Sequence, residues 1–483
     1  MKTQKSHVKL QPTDSAALIS ALLFYGGFGL HPWPILTWFI LLPLLVVAPR
    51  ISAKRTVILS VIAGLLGQVG VSVYFAGTLH MPPALLAVLV VYLAALMAGV
   101  VSLGRLLLMR HKPLVATVAV ASTWVLGEYL LTILAPHGAW WSLGYSQASI
   151  LSLLQIVSIT GVWGLSFLLT AFPTAIAAMT VPGVSKRSKA KTSAAVVLAA
   201  LVVFTFGVTQ LHRKNTAPEL RVAAAVAAES SDELTITSDV GKKVLNDYQN
   251  EMQRLASKHV HTVVFPEKGL QADQSQLARI AEPLASAAKQ YNITAIVGVM
   301  VKTAPETYEN RALIFTPNQG EATYVKQHLI PGLESDFDAG DKLAFVPGSD
   351  KTQGVIICKD LDFQDFVRSY RQAGASVLFA PAWDFNNDGW LHSRIAITRG
   401  VEDGMAIART GRDGQLTISD AQGRVLAEHA ARENTASSVD ATIPAKTLAT
   451  VYARMGDWLV YVSAVIAVGS IGYLVATRQR SKR

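Results

Sequence analysis

One cysteine, Cys358, stands in this chain of 483 residues, at the end of the apolar run GVIIC and directly before Lys359, Asp360 and Asp362. A lone thiol has two roles open to it. It can be a buried structural group, the commoner place for a free cysteine. It can instead be a nucleophile, which needs a base to take its proton and a fixed cation or donor to meet the oxyanion it creates. Two residues elsewhere have that chemistry. Glu267 closes the run TVVFPE, where Pro266 stops strand pairing and turns the carboxylate out of a sheet. Lys326 lies in YVKQHLIPG, in an extended stretch after GEAT. Singly, each reads as a solvated surface charge. Together, in the order Glu, Lys, Cys and each at a strand end, they supply what acyl transfer through a thioester requires. The single cysteine also excludes an intrachain disulfide and any structural zinc site built on two thiolates. No metal and no cofactor is expected.

The elements that must position these residues are those of an α/β domain. Candidate strands are LRVAAAV, HTVVFPE, ITAIVGVM, RALIFTP, GVIIC, ASVLFAP and GQLTISD, short β-branched runs bounded by turn residues. Candidate helices are VGKKVLNDYQNEMQRLASKH, QLARIAEPLASAAKQY and LHSRIAITRGVEDGMAIART. They fill residues 215–456, a region of soluble-domain composition entered through RKNTAPE.

The flanking sequence is of another kind. The chain is 51% hydrophobic and 16% charged, too apolar for an ordinary soluble enzyme. Apolar stretches begin near Ser15, Pro34, Thr56, Leu85, Leu114, Ile156, Ser193 and Trp458, which implies a bundle of about eight transmembrane helices. Residues 1–214 hold all but the last, which lies with a basic tail in 457–483. The net charge of +10 could suggest nucleic acid, but the Lys and Arg residues cluster between apolar runs rather than on one folded face. Lys2, Lys5 and Lys9, then Arg50, Lys54 and Arg55, then Arg105, Arg110 and Lys112, then Lys186, Arg187, Lys189 and Lys191, and finally Arg478, Arg480, Lys482 and Arg483 fall on alternate loops. The intervening LHPW, GTLHMPP and APHGAWWSLGYSQ carry no Lys or Arg. Cytoplasmic loops retain cations, so both termini are expected in the cytoplasm and the α/β domain on the outer face. Glu128, inside the fifth stretch, is either a functional carboxylate or a structural hydrogen-bond partner.

These motifs resemble a known family. Glu267 in FPEKG, Lys326 in YVKQHLIP and Cys358 in VIICKDLDF are similar to the Glu-Lys-Cys triad of the nitrilase, or carbon-nitrogen hydrolase, superfamily. LHPWPILTW, HGAWWSLGYSQ, GVWGLSFLL and YARMGDW resemble the apolipoprotein N-acyltransferase family within it. The resemblance implies an αββα sandwich of nitrilase type beside the helical membrane bundle, in a bacterial inner membrane with the catalytic domain periplasmic. It implies a phospholipid acyl donor, a diacylglyceryl-lipoprotein acceptor and no nucleic acid. In that reading Glu267 is the general base, Cys358 the nucleophile, Lys326 the oxyanion stabiliser and Glu334 a second, orienting glutamate. Trp383 and Trp390 are candidates for an acyl-pocket wall or for the bilayer interface, Phe337 for acyl contact or packing, and His328 for substrate contact. Lys359 and Asp360 stand where the family usually has an aromatic residue and a glutamate, a departure that bears on which substrate is recognised. Two other functions fit the same residues: a membrane-anchored carbon-nitrogen hydrolase or N-acyltransferase with another acceptor, and a catalytically silent lipoprotein-binding scaffold. A silent site has no chemical need for its only cysteine.

Overall fold

The computed structural model describes residues 13–213, 218–228, 234–432 and 434–480. Lys2, Lys5, Lys9, Lys214, Lys482 and Arg483, with most of RKNTAPE, lie outside them. The chain divides into two units, one of Met1–Leu130, Trp163–Val202 and Leu459–Arg483, the other of Leu131–Val162 and Val203–Trp458.

The first unit is helical, and its apolar runs fold as the sequence suggests, but not all with the length of a span. Among the described residues, Pro83–Met109, Pro113–Leu134, Lys186–His212 and Trp458–Arg478 are long and apolar enough to cross a membrane. Counting the bent pairs Ala53–Gly67 with Val69–Gly77 and Leu151–Thr160 with Trp163–Met179 as single spans gives six, against the eight expected. The other two, Ser15–Gly27 and Pro34–Arg50, fall short of the roughly 20 residues needed. Pro34, Pro43 and Pro49 break the second of them into short turns. Val197, Leu198, Leu201, Val465 and Val468 remain exposed along two of the long helices, an apolar surface suited to lipid rather than water. Glu128 is buried and structural in its contacts: Oε1 accepts from Trp124 Nε1 at 2.7 Å and Oε2 from Ser166 Oγ at 2.6 Å.

In the second unit, the twofold alternation of each strand sorts side chains into three cores. Along Glu219–Val226, Ala223 and Ala225 join Val244, Tyr248 and Met252 of the helix Asp239–Ala256 and Leu284 and Ala288 of Ala278–Tyr291. Val222 faces the other way and meets Val377, Phe379 and Ala408 of a second sheet. Leu378 and Ala380, on that sheet's far face, pack on Val367, Tyr370 and Ala396 of the helices Gln364–Ala373 and Gly389–Asp403. Helix, sheet, sheet, helix is the expected αββα order.

The first sheet runs Ser437–Pro444, Glu219–Val226, Thr262–Val264, Thr294–Ala304, Thr307–Phe315, Glu321–Val325. The second runs Val425–Ala430, Gln415–Ser419, Ala406–Arg412, Val377–Trp383, Gln353–Val355, Ala344–Phe345. Three neighbouring strands at the centre of each are parallel, so their carboxyl ends share one edge, where α/β sheets build sites.

Two expectations are corrected. LHSRIAITRGVEDGMAIART is not one helix: it ends at Asp403, Gly404 takes φ +68, and Ala406–Arg412 is a central strand. Glycine alone adopts that conformation freely. GVIIC is not strand throughout either, since pairing stops at Val355 and Cys358 lies beyond it.

Candidate active site

Glu267, Lys326 and Cys358 each come one to three residues after a strand's carboxyl end, at Val264, Val325 and Val355. Lys326 is buried completely. Its Nζ donates to Glu267 Oε1 at 2.8 Å and to Glu334 Oε1 and Oε2 at 3.1 and 2.9 Å. Asn310 Nδ2 donates to Glu267 Oε1 at 2.6 Å and Glu334 Oε1 at 3.0 Å, a neutral spacer that separates two anions. Glu334 Oε2 also accepts the Ile330 N–H at 2.9 Å, and Oε1 accepts from Lys268 Nζ at 3.2 Å. The lysine backbone is held as firmly, its N–H donating to Asn310 O and its carbonyl accepting from Gly340 N–H, both at 2.9 Å.

The charges hold one another. Burial works to neutralise Lys326, but Glu267 and Glu334 outweigh it and keep its pKa well above the usual lysine value. Burial likewise works to raise Glu334, and Lys326 and Lys268 reverse this, holding it at about 2.

Cys358 adopts φ +42 and opens the short turn Cys358–Asp362. That left-handed backbone is strained for a residue with a Cβ. Its thiol donates weakly to Trp383 O, with Sγ 3.8 Å away. The Trp383 N–H donates to Glu267 Oε2 at 3.0 Å. The thiol and the glutamate oxygen not bound to Lys326 therefore meet across the main chain of one residue. Burial pushes the Cys358 thiol well above its usual value, and Glu267 adds to this while Lys326 and Arg409 oppose it. The resting group is a protonated thiol, so attack requires a base at hand. Alkylation by iodoacetamide should keep accelerating as pH rises past 9.0, the ordinary thiol value, and Glu267→Gln should shift that rise to lower pH. A wild-type rate that levels off below about pH 8 would contradict the environment described.

Asp360 ties the lysine segment to the turn that Cys358 opens. Its Oδ2 accepts from Tyr324 OH at 2.7 Å and from Ile357 N–H at 3.2 Å, and its Oδ1 from the His328 N–H and ring Nδ1, each at 2.8 Å. Tyr324 and His328 flank Lys326 two residues to either side, so one carboxylate two residues past Cys358 fixes where the ammonium stands.

Comparison with known proteins bears on both units. Residues 20–175 match the model of the apolipoprotein N-acyltransferase N-terminal domain, and residues 222–452 match that of carbon-nitrogen hydrolases. The apolipoprotein N-acyltransferase of Geobacter metallireducens is 24% identical over 458 residues, covering 85% of each chain. That of Bradyrhizobium diazoefficiens is 24% identical over 437 residues, 80% of this chain and 78% of its own. The chain is a divergent member of the apolipoprotein N-acyltransferase family. An (R)-stereoselective amidase of a Pseudomonas species is also similar, 27% identical over 162 residues, 32% of this chain and 59% of its own. Among solved structures, an amidase from a Nesterenkonia species aligns with TM-score 0.41 and 15% identity over 52% of this chain and 97% of that one.

The remaining candidates in this family member are placed as follows. His328 is stacked on Phe363 with centroids 3.8 Å apart, besides its bonds to Asp360. Trp383 ends its strand, with Lys268 Nζ 5.1 Å and Arg412 Cζ 4.6 Å from its ring centroid. Phe337 pairs with Tyr308 at 5.6 Å and lies 5.3 Å from the same Lys268 ammonium. Trp390 sits in the first turn of Gly389–Asp403 under the Arg394 guanidinium, and is not brought to the glutamates by any of these contacts. Asp384, Asp388 and His392 bring ligand-type atoms within 4.8 Å of one another, but both oxygens of Asp384 already hold the Arg409 guanidinium.

Sequence reasoning missed Asn310, which reads as a polar strand-end residue, and the bridging role of Asp360. It also missed the buried pair of Lys359 Nζ and His137 Nδ1, 3.1 Å apart. Burial, helped by Lys359, lowers His137 to about 2, so its imidazole is neutral and its Nδ1 accepts a hydrogen bond from the lysine. Burial lowers Lys359 too, against the pull of Asp362.

Proposed function

We propose that the protein moves a fatty acyl chain from a phospholipid to the α-amino group of a diacylglyceryl-cysteine at a lipoprotein N-terminus, through a thioester on Cys358. The observation that carries this reading is the meeting of the Cys358 thiol and Glu267 Oε2 on the main chain of Trp383, beside a buried lysine. Glu267 takes the thiol proton as sulfur attacks the ester carbonyl, and Lys326 meets the oxyanion, exchanging one carboxylate contact for it. As the C–O bond breaks, the departing lysophospholipid oxygen takes the proton back from Glu267. The acceptor's free amine then attacks the thioester carbon and passes a proton to Glu267. The C–S bond breaks, and the thiolate regains its proton from the same acid. Glu334 holds Lys326 in place throughout.

About eight spans, with both termini cytoplasmic and the α/β domain on the outer face of a bacterial inner membrane, belong to the same proposal, which the alternation of cationic and cation-free loops supports. Both substrates are lipids, so a catalytic domain tethered at the bilayer needs no three-dimensional search. Likeness to an amidase favours a second reading, in which water resolves the thioester. Incubating the protein with phospholipid and a diacylglyceryl-cysteine peptide, followed by mass spectrometry, separates the two. The peptide should gain the mass of one acyl chain; release of free fatty acid with no gain would replace the transferase reading with the hydrolase.

A further inference from the structure

A cation that the acyl-transfer scheme leaves idle stands at the edge of the glutamate cluster. Lys268 follows Glu267 with φ +49, its side chain 14% exposed. Its Nζ donates to Glu334 Oε1 at 3.2 Å and lies 5.3 and 5.1 Å from the ring centroids of Phe337 and Trp383. Arg412, 5% exposed, brings a second cation to the same indole. Glu334 does not depend on Lys268 for its partners, since Lys326, Asn310 and the Ile330 N–H already serve both of its oxygens. Lys268 is poorly served in return. Among the described residues Glu334 is its only hydrogen-bond partner, whereas an ammonium carries three donors. Aromatic faces compensate a desolvated cation in part, and an anion completes it.

The place of this cation gives the anion its identity. Trp383 holds the thiol and Glu267 through its main chain and meets Lys268 through its ring. An ester carbonyl poised at Cys358 thus has Lys268 within reach of groups a few bonds further along the same molecule. In a glycerophospholipid, the strongly anionic group a few bonds from the ester is the phosphodiester. We propose that Lys268, with Arg412 adding positive potential from the Trp383 ring, receives the phosphodiester of the donor phospholipid. This subsite rests on the acyltransferase reading and extends it: the cation selects donors that carry a phosphate over esters of the same chain that lack one.

The test times oleoyl-thioester formation on Cys358 by mass spectrometry, with the full chain in detergent micelles and two donors. Dioleoyl phosphatidylglycerol carries the phosphodiester; p-nitrophenyl oleate offers the same acyl chain without it. Lys268→Met should lower the ratio of the first rate to the second about tenfold or more, the effect of one lost charge-assisted hydrogen bond. Lys268→Arg, which keeps the charge, should preserve most of the ratio. A ratio unchanged in Lys268→Met, whether both rates fall together or neither does, overturns the subsite, because a lysine acting only on Glu334 would affect both donors alike. Wild-type protein that accepts p-nitrophenyl oleate but not the phospholipid overturns it too. If wild-type protein takes up oleoyl from neither donor, the thioester reading itself has failed, and this inference falls with it.

Discussion

Cys358→Ala is expected to form no acyl adduct and to lose acyl transfer by at least about 10⁴-fold, the scale seen when a covalent nucleophile is removed. The chain has no second thiol to take over; an acyl group on Glu267 would be a readily hydrolysed anhydride, and one on Lys326 an amide too stable to pass it on. The fold should survive. The thiol makes one weak contact, to Trp383 O at 3.8 Å, and alanine is no more strained than cysteine at φ +42. Intact-protein mass spectrometry after incubation with phospholipid reads the adduct, and thermal unfolding in detergent checks the fold. A wild-type Cys358 that forms no thioester-linked adduct, together with a folded Cys358→Ala protein that still supports all cellular function, would favour the scaffold.

Lys326→Met should be the other large effect, and it acts twice. Losing the oxyanion partner should slow thioester formation about 10²- to 10³-fold. Losing the counter-ion leaves Glu267 and Glu334 buried with Asn310, the Trp383 and Ile330 N–H groups and, at Glu334, Lys268, at a cost on the order of 3–5 kcal/mol in stability. The pH dependence then changes sign. In the wild type Glu334 is held at about 2, below its ordinary 4.5, so its pairing contributes stability above about pH 4.5 that is lost as pH falls toward 2. Without the lysine, burial and mutual repulsion favour protonation of one carboxyl, so that contribution becomes present at low pH and is lost as pH rises. Melting curves of the two proteins should therefore draw together between pH 7 and pH 5; curves that keep a constant separation would refute the arrangement. Lys326→Met with Glu267→Gln should recover part of the stability and none of the activity.

Glu267 and Cys358 could be found in the sequence because each stands where a β-branched run gives way to turn residues, and such boundaries are local. Pro266 marks the one beside Glu267, and the run VII marks the one before Cys358. The α/β character of the domain was legible for a similar reason, since unbroken apolar runs in LRVAAAV and ASVLFAP read as strands buried on both faces, while the αββα order came from the family resemblance. What stayed hidden depends on contacts distant in sequence. Asn310 bridges residues 43 positions before and 24 positions after it, and its own surroundings, NRALIF, give no sign of this. The strand Ala406–Arg412 reads as helix because its apolar residues continue the preceding helical pattern, and only the left-handed Gly404 divides them. Asp360 looks like a turn acid until Tyr324 and His328 are seen to converge on it. Two of the eight apolar stretches, Ser15–Gly27 and Pro34–Arg50, form helices shorter than a span, and Pro43 and Pro49 divide the second of them in a way that hydropathy does not register.

The peptide units around residue 383 have a practical consequence. Its amide hydrogen and carbonyl oxygen hold Glu267 and Cys358, so both contacts use atoms that every amino acid except proline supplies. The indole is a separable attachment. A saturation library at this codon should therefore redraw ligand preference while leaving the bond-making apparatus assembled.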